Sequence, residues 1–338
     1  MQSLKSLPGC VEFVLGIKFM STTHALVRRC LLLATIFLAV VVNAGQDRDH
    51  APFSKLVVFG DSISDTGNLY ALTGGAFPPA SMYVNGRFSN GSVWVEYLAE
   101  RLDLTGKMEN YAFGGACSGT ASYVSFAYGI PGLPGLKTEI DMFAAAQGGR
   151  ADPRALYIVQ AGANDIFLWA DTGMPMALPD FAAQVAANVA EAVTRLKQMG
   201  ARHILVVDIA DIGLTPYGLG SGFGSLLTGV TQTLNGAVAA KLQSVSRCHG
   251  ADADIFSIYG SLHVIAADPA MFGFVNVTHP YLMVQAGDPD TFLFWDGVHP
   301  TTMGHATLAE FALDRLERLY PQLRHREHQP ACAGGEKD

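Results

Sequence analysis

The chain has 338 residues, 49% of them apolar and 15% charged, with a formal net charge of −8 at pH 7. Ordinary soluble domains carry roughly a quarter charged residues, so the composition excludes a disordered or supercharged tail protein and leaves enough apolar material for a large core. The acidic balance argues against nucleic acid as a partner and offers no basic tract for anionic lipid.

Arg28 and Arg29 precede an apolar run from Cys30 to Val42, which ends at Val42-Asn43-Ala44. A basic pair, a short apolar stretch and small residues at a cleavage site make a secretion signal, and the run is shorter than the roughly 20 residues a bilayer span requires. Cleavage near Ala44 is expected, giving a secreted or periplasmic protein. Residues 1–44 are then the leader, with Met20 the start that gives a signal of ordinary length, and 45–52 a short linker. Lys5, Lys18, Arg28 and Arg29 leave with the leader against Glu12 alone, so the mature chain is more acidic still. Of the cysteines beyond it, Cys117, Cys248 and Cys332, the preferred pair is Cys248 with Cys332, a clamp on the C-terminal tail.

From Leu56 onward, short unbroken apolar runs alternate with helical patterns, and unbroken apolarity marks strands covered on both faces. Leu56 to Phe59 is the first run, and Gly60-Asp61-Ser62 follows it. Thr73 to Pro79 reads as a surface loop. A weaker run, Tyr111 to Phe113, leads into Gly114-Gly115, and Gly129 to Gly135 is a second loop. Leu156 to Val159 leads into Gly162-Ala163-Asn164-Asp165. Phe181, Val185, Val189, Val193 and Leu196 form one helical stripe, with Asp180 as N-cap and Gly200 as stop. Ile204 to Val207 is the next strand. Gly213 to Gly224 is a third loop, in which Gly218 to Gly224 lacks the lysine of a phosphate-binding loop and reads as a flexible rim. Leu226, Leu227, Val230, Leu234, Val238, Leu242 and Val245 make a second stripe. Ile255 to Ile258 is a weak last strand, and Leu308, Phe311, Ala312, Leu316 and Leu319 make a third helix that halts before Pro321.

Strands alternating with helices predict one α/β/α domain over residues 53–322, a parallel sheet between two helix layers. Residues 323–338 are expected to be a solvated tail. Ligands in open parallel sheets bind beyond the carboxyl ends of the strands, which is where the three polar or glycine turns converge. Near the C-terminus, Asp296 stands three residues before His299. A hydroxyl is a weak nucleophile at neutral pH; it needs a base in reach, and that base needs an acceptor on its other ring nitrogen. A D-x-x-H turn brings carboxylate and imidazole to one side. Attack on an ester carbonyl also creates an oxyanion, for which the backbone N–H groups of Ser62 and Gly115 and the side-chain amide of Asn164 are candidate donors.

These residues carry a resemblance. Gly60 to Ser62, the NYAFGGA block at Asn110 to Ala116, Gly162 to Asp165 and Asp296 to His299 resemble, in order, the four blocks of the GDSL lipase/esterase family, also called SGNH hydrolases. The flanking Ser64 to Asn68 and Asn85 to Ala99 resemble its larger secreted lipase-like members. The resemblance implies a flavodoxin-like three-layer fold with a central parallel sheet of about five strands, Ser62 as nucleophile, His299 as general base and then acid, and Asp296 as its orienting carboxylate. It also implies an oxyanion hole of Ser62, Gly115 and Asn164, the family pattern favouring Gly115 over Gly114. The family usually has leucine after the serine; Ile63 stands there. No G-x-S-x-G elbow occurs.

Asp65, Thr66 and Asn68 are expected to brace the serine loop rather than touch substrate. No cofactor or metal is expected, since His305, His325 and His328 lack a metal-site pattern, and Cys117 is superfluous beside Ser62. Asn90 and Asn276 begin glycosylation sequons, which matter only in a eukaryotic secretory route. Phe77, Met82, Tyr83, Phe126, Tyr128, Phe167, Leu168, Trp169, Phe223, Leu226 and Leu227 suggest an acyl-binding surface. The reading is a secreted serine ester hydrolase acting on a small-molecule or lipid ester, with transient contact at a membrane or lipid surface. Phospholipase, acyl-transfer and polysaccharide O-acetylesterase activities are alternatives, and a non-catalytic binding module is the rival from another class.

Overall fold

The structure, a computed structural model, describes residues 52–249 and 253–325. The leader, its cleavage site, the Cys248–Cys332 pairing and the side chains of His325 and His328 lie outside the described residues and side chains.

Five strands form one wholly parallel sheet: β1 Leu56–Phe59, β2 Met108–Asn110, β3 Leu156–Gln160, β4 His203–Val207 and β5 Ala253–Phe256, in spatial order β2-β1-β3-β4-β5. This is the flavodoxin-like order, whose reversal between β1 and β3 opens a crevice at the carboxyl ends of the strands. Alternate residues of each strand feed opposite cores. Val57, Phe59, Tyr157, Val159, Ile204 and Val206 pack against the helices Leu136–Ala146, Leu178–Met199 and Gly224–His249. Leu56, Val58, Leu156, Ile158, Leu205 and Val207 pack against Trp94–Arg101, Ile258–Ala267 and Thr302–Leu319. The expected three-layer α/β/α architecture is therefore the one the chain adopts.

Several local expectations are corrected. The edge strand is Met108–Asn110 rather than Tyr111 to Phe113; it has one neighbour and half-buried residues, so it carries no apolar run. Its hydrogen bonds continue past its end, Tyr111 N–H donating to the Val58 carbonyl and Phe113 N–H to that of Gly60. β5 starts and ends two residues earlier than the Ile255 to Ile258 run, because Ser257 caps the next helix through the Gly260 N–H. Asp180 is not an N-cap: Leu178–Met199 begins with Pro179 in its first turn, where a missing N–H costs nothing, and Asp180 sits inside that turn. The loop expected over Gly213 to Gly224, with its rim at Gly218 to Gly224, is built on regular turns. It holds a 3₁₀ turn, Ile212–Leu214, and a short helix, Pro216–Ser221, capped by Thr215. Glycine at 213 is needed for closeness, since a Cβ there would stand 2.2 Å from the Gly224 carbonyl oxygen. The tail is not solvated from 323: Leu323 is buried within a 3₁₀ turn, Pro321–His325.

Candidate active site

Ser62 follows β1 by three residues, and its loop is held from several sides. Asp65 accepts the N–H groups of Gly67 (2.8 Å), Asn68 (2.6 Å) and Leu69 (3.2 Å), and also that of Gly114 (2.8 Å), which ties the serine loop to the glycine turn beyond β2. Asn68 donates to the carbonyls of Asn110 and Ala112, and Asn110 donates to the Ser64 carbonyl and the Thr66 hydroxyl. Ser64 donates to Gln160 of β3 and receives the Trp94 indole N–H. Asp65, Thr66 and Asn68 thus sit in the brace.

Beyond the edge strand, the two adjacent glycines have different reasons. A Cβ at Gly114 would lie 2.3 Å from the Phe88 ring, whereas Gly115 has φ +82° and Val124 2.5 Å from where its Cβ would be. The first is a matter of space and the second of the left-handed conformation. Gly114 N–H is committed to Asp65, while Gly115 lines the cavity above Ser62. Asn164 stands in the first turn of the helix Ala163–Asp171, directly after β3. Its amide spends one proton on the Ala116 carbonyl at 3.2 Å, and it too lines the cavity.

Asp296 and His299 arrive on a turn before the helix Thr302–Leu319. Asp296 Oδ1 accepts the N–H groups of Val298 (2.9 Å) and His299 (2.8 Å), and Oδ2 lies 2.6 Å from His299 Nδ1. With Nδ1–H donated to the carboxylate, Nε2 is free to accept. Nε2 lies 2.8 Å from Ser62 Oγ. Burial would raise the Asp296 carboxyl, but the His299 charge and the hydrogen bonds from His299, Tyr83 and Val298 outweigh it and hold it at about 2. Asp296 is therefore a carboxylate at any pH of interest, and this chain of groups can take a proton from a serine hydroxyl.

Three side chains carry roles that the linear pattern did not assign. Tyr83, expected only in the acyl-binding surface, donates its hydroxyl to Asp296 Oδ2 at 2.6 Å. Glu139, fully buried, accepts the N–H groups of Gly60 (2.9 Å) and Phe113 (3.3 Å), joining the segments that carry Ser62 and Gly115; burial pushes its carboxyl well up. The available signal was an acid on the apolar stripe of Leu136, Ile140 and Phe143. Asp165 accepts both the N–H and the hydroxyl of Ser118 at 2.7 Å. Asp61 lines the cavity, and burial, aided by the Asp165 and Asp65 charges, raises it to about 6 against the Ile63 N–H and His299. Cys117 is buried, and burial followed by the Asp165 charge pushes its thiol far above the usual range, so it presents no thiolate.

The cavity over Ser62 has a volume of about 550 Å³ and includes Phe77, Met82, Tyr83, Phe88, Tyr128, Phe167, Ile209, Ile212 and Tyr217 in its walls. Phe126, Leu168, Trp169, Phe223, Leu226 and Leu227 of the expected acyl surface do not line it. Trp169 stacks on Phe181 at 5.0 Å and Leu227 packs on the core, while Phe126, Phe223 and Leu226 are exposed. Among the described residues, no helix is long and apolar enough to cross a membrane.

Against known proteins, the family model described as GDSL-like Lipase/Acylhydrolase matches residues 56–312. The thermolabile hemolysin of Vibrio parahaemolyticus is 27% identical over 79% of the chain, which spans 64% of that relative's length. The phosphatidylcholine-sterol acyltransferase of Aeromonas hydrophila is also 27% identical, over 85% of the chain and 98% of its own length. Among solved structures, an acetyl-xylooligosaccharide esterase from Geobacillus superposes with a TM-score of 0.48 at 15% identity, over 79% of the chain and 96% of that structure.

Proposed function

The chain belongs to the GDSL-like lipase/acylhydrolase family and is a carboxylic ester hydrolase; from that premise we propose that it cleaves lipid or other long-acyl esters through an acyl-enzyme on Ser62. The observation that carries the reading is a serine Oγ 2.8 Å from an imidazole Nε2, at the wall of an apolar cavity. His299 takes the Ser62 proton as Oγ attacks the acyl carbonyl, and the oxyanion is received by the N–H groups of Ser62 and Gly115 and the amide of Asn164. His299 then returns the proton to the leaving alcohol. Water, deprotonated by His299 in turn, attacks the ester carbonyl of the acyl-enzyme; the bond to Oγ breaks, Ser62 recovers its proton and the acid departs. The intact hydrogen-bonded line through Ser62, His299 and Asp296 speaks against a binding module that has lost the reaction.

An acetyl group would leave most of about 550 Å³ unfilled, which supports a longer acyl chain. Met82, Tyr128 and Tyr217 line the cavity and are also 44%, 61% and 45% exposed, so its apolar wall continues to the surface. This supports transient contact with a lipid surface. The leader motif supports export with cleavage near Ala44, and residues 53–322 are read as the single domain that carries the site. The test is a chain-length series of aryl esters beside acetylated xylan and phosphatidylcholine, with Ser62→Ala as control. Each methylene buried contributes about 0.8 kcal/mol, so kcat/KM is expected to rise at least about tenfold from acetyl to octanoyl. Preference for acetyl alone, or full activity in Ser62→Ala, would overturn the reading.

Acyl transfer is a second reading, supported by the likeness to the Aeromonas acyltransferase over 98% of its length. An alcohol entering in place of water would accept the acyl group from Ser62. Ester formed from a sterol or long-chain alcohol, measured against free acid released, decides between the two.

A further inference from the structure

The line of groups that begins at Ser62 does not end at Asp296. Asp296 takes four donors: the N–H groups of Val298 and His299 on Oδ1, and His299 Nδ1 with the Tyr83 hydroxyl on Oδ2. A carboxylate offers about four acceptor sites, so this one is saturated and its plane is fixed. Tyr83 comes from an irregular segment, and it lines the cavity together with Phe77 and Met82 from the same segment. That segment is clasped a second time at the adjacent residue, where Trp295 donates its indole N–H to the Met82 carbonyl at 2.9 Å. Trp295 is itself stacked on Tyr281 at 5.3 Å. Phe88 packs on both Tyr83 and His299, its ring centroid 5.7 Å from the first and 5.0 Å from the second.

We propose that Tyr83 is a positioning residue: its hydroxyl orients the Asp296 carboxylate that aims His299 at Ser62, and so couples the placement of the cavity wall to the assembly of the base. The inference rests on the reading of Ser62 and His299 given above. Without the hydroxyl, Oδ2 keeps one donor and the carboxylate can turn away from the plane that holds His299 Nδ1. Burial, followed by the Asp296 charge, raises the Tyr83 hydroxyl far above its ordinary range, so it remains a donor wherever the protein is folded. A phenylalanine there keeps the ring against Phe88 and removes only the donor.

The test is kcat and KM on a short, soluble aryl ester, which makes little use of the cavity wall, for the wild type, Tyr83→Phe, Asp296→Asn and the double variant. Tyr83→Phe is expected to lower kcat about tenfold with KM within about twofold, the size of one lost hydrogen bond to a charged group. In the Asp296→Asn background the same change is expected to cost less than about twofold, because the group it acts through is already lost. A kcat within about twofold of wild type, an equal loss in both backgrounds, or a loss confined to KM would overturn the proposal. If Tyr83→Phe does not fold, Trp295→Phe loosens the same clasp: a loss in kcat with KM unchanged supports the coupling, and no loss or a loss in KM alone overturns it. Ser62→Ala keeps the two levels apart. Wild-type activity in Ser62→Ala removes the functional reading itself, whereas an inactive Ser62→Ala beside an unimpaired Tyr83→Phe removes only the role of Tyr83.

Discussion

Asn164 has two amide protons, and one is spent on the Ala116 carbonyl. The bond turns the side chain into a fixed fitting, with the second proton available to a charge that develops over Ser62. A preset donor of this kind is worth about 2.7 to 4 kcal/mol to the transition state. Asn164→Ala is therefore expected to lower kcat about 10²- to 10³-fold while KM changes little; a change in KM alone, measured by steady-state kinetics on an aryl ester, would remove the residue from the oxyanion hole. At this scale, legibility followed chain proximity. Ser62, Gly115, Asn164, Asp296 and His299 lie in short blocks with local spacing. Tyr83 meets Asp296 across 213 positions through a phenol in an irregular segment, and nothing near it marks a partner. Glu139 was legible in principle, as a charge on a buried helical stripe.

The last helix, Thr302–Leu319, shows how an element takes on a pH dependence. His305 lies on its buried face, and among the described residues neither ring nitrogen has a hydrogen-bond partner. Burial, followed by the His299 charge, pushes His305 down to about 3, against about 6.5 in an unfolded chain. The fold therefore requires the neutral ring: the stability tied to it is complete above pH 6.5 and is lost as pH falls from 6.5 toward 3, by about 1.4 kcal/mol per unit. Between pH 7 and pH 5 the wild type is expected to lose about 2 kcal/mol more than His305→Leu in urea unfolding; parallel losses would contradict this. Asp61 and Asp208, each raised to about 6 mainly by burial, act with the opposite sign but are common to both proteins. Elements covered on both faces were legible as apolar runs and stripes. Those set by caps and edges were displaced: β2 lacks an apolar run, Pro179 moved a helix start, and Ser257 ended β5 early.

Across the whole molecule, parallel strands deliver the turns of Ser62, Gly115 and Asn164 to one end of the sheet, and the turn before Thr302–Leu319 brings Asp296 and His299 to meet them. The alternation of strands and helices was enough to predict that end, because right-handed crossovers leave little choice. The height and shape of the cavity wall were not legible. They depend on where Phe77, Met82 and Tyr128 settle relative to strands far from them in sequence, and three aromatic residues that looked suited to the wall, Phe126, Trp169 and Phe223, went elsewhere. Buried carboxylates then lock the converging turns together, Asp65 and Glu139 across the first two and Asp165 across the next.

The central claim is that Ser62 is a nucleophile made reactive by His299, 237 positions away. The most direct measurement is the rate and site of labelling by a small fluorophosphonate, read by peptide mass spectrometry, in the wild type, Ser62→Ala and His299→Ala. One phosphonyl group on the peptide that contains Ser62, absent in Ser62→Ala and formed at least about 100-fold more slowly in His299→Ala, is the predicted result. Label on another residue, or an unchanged rate without the imidazole, would contradict it.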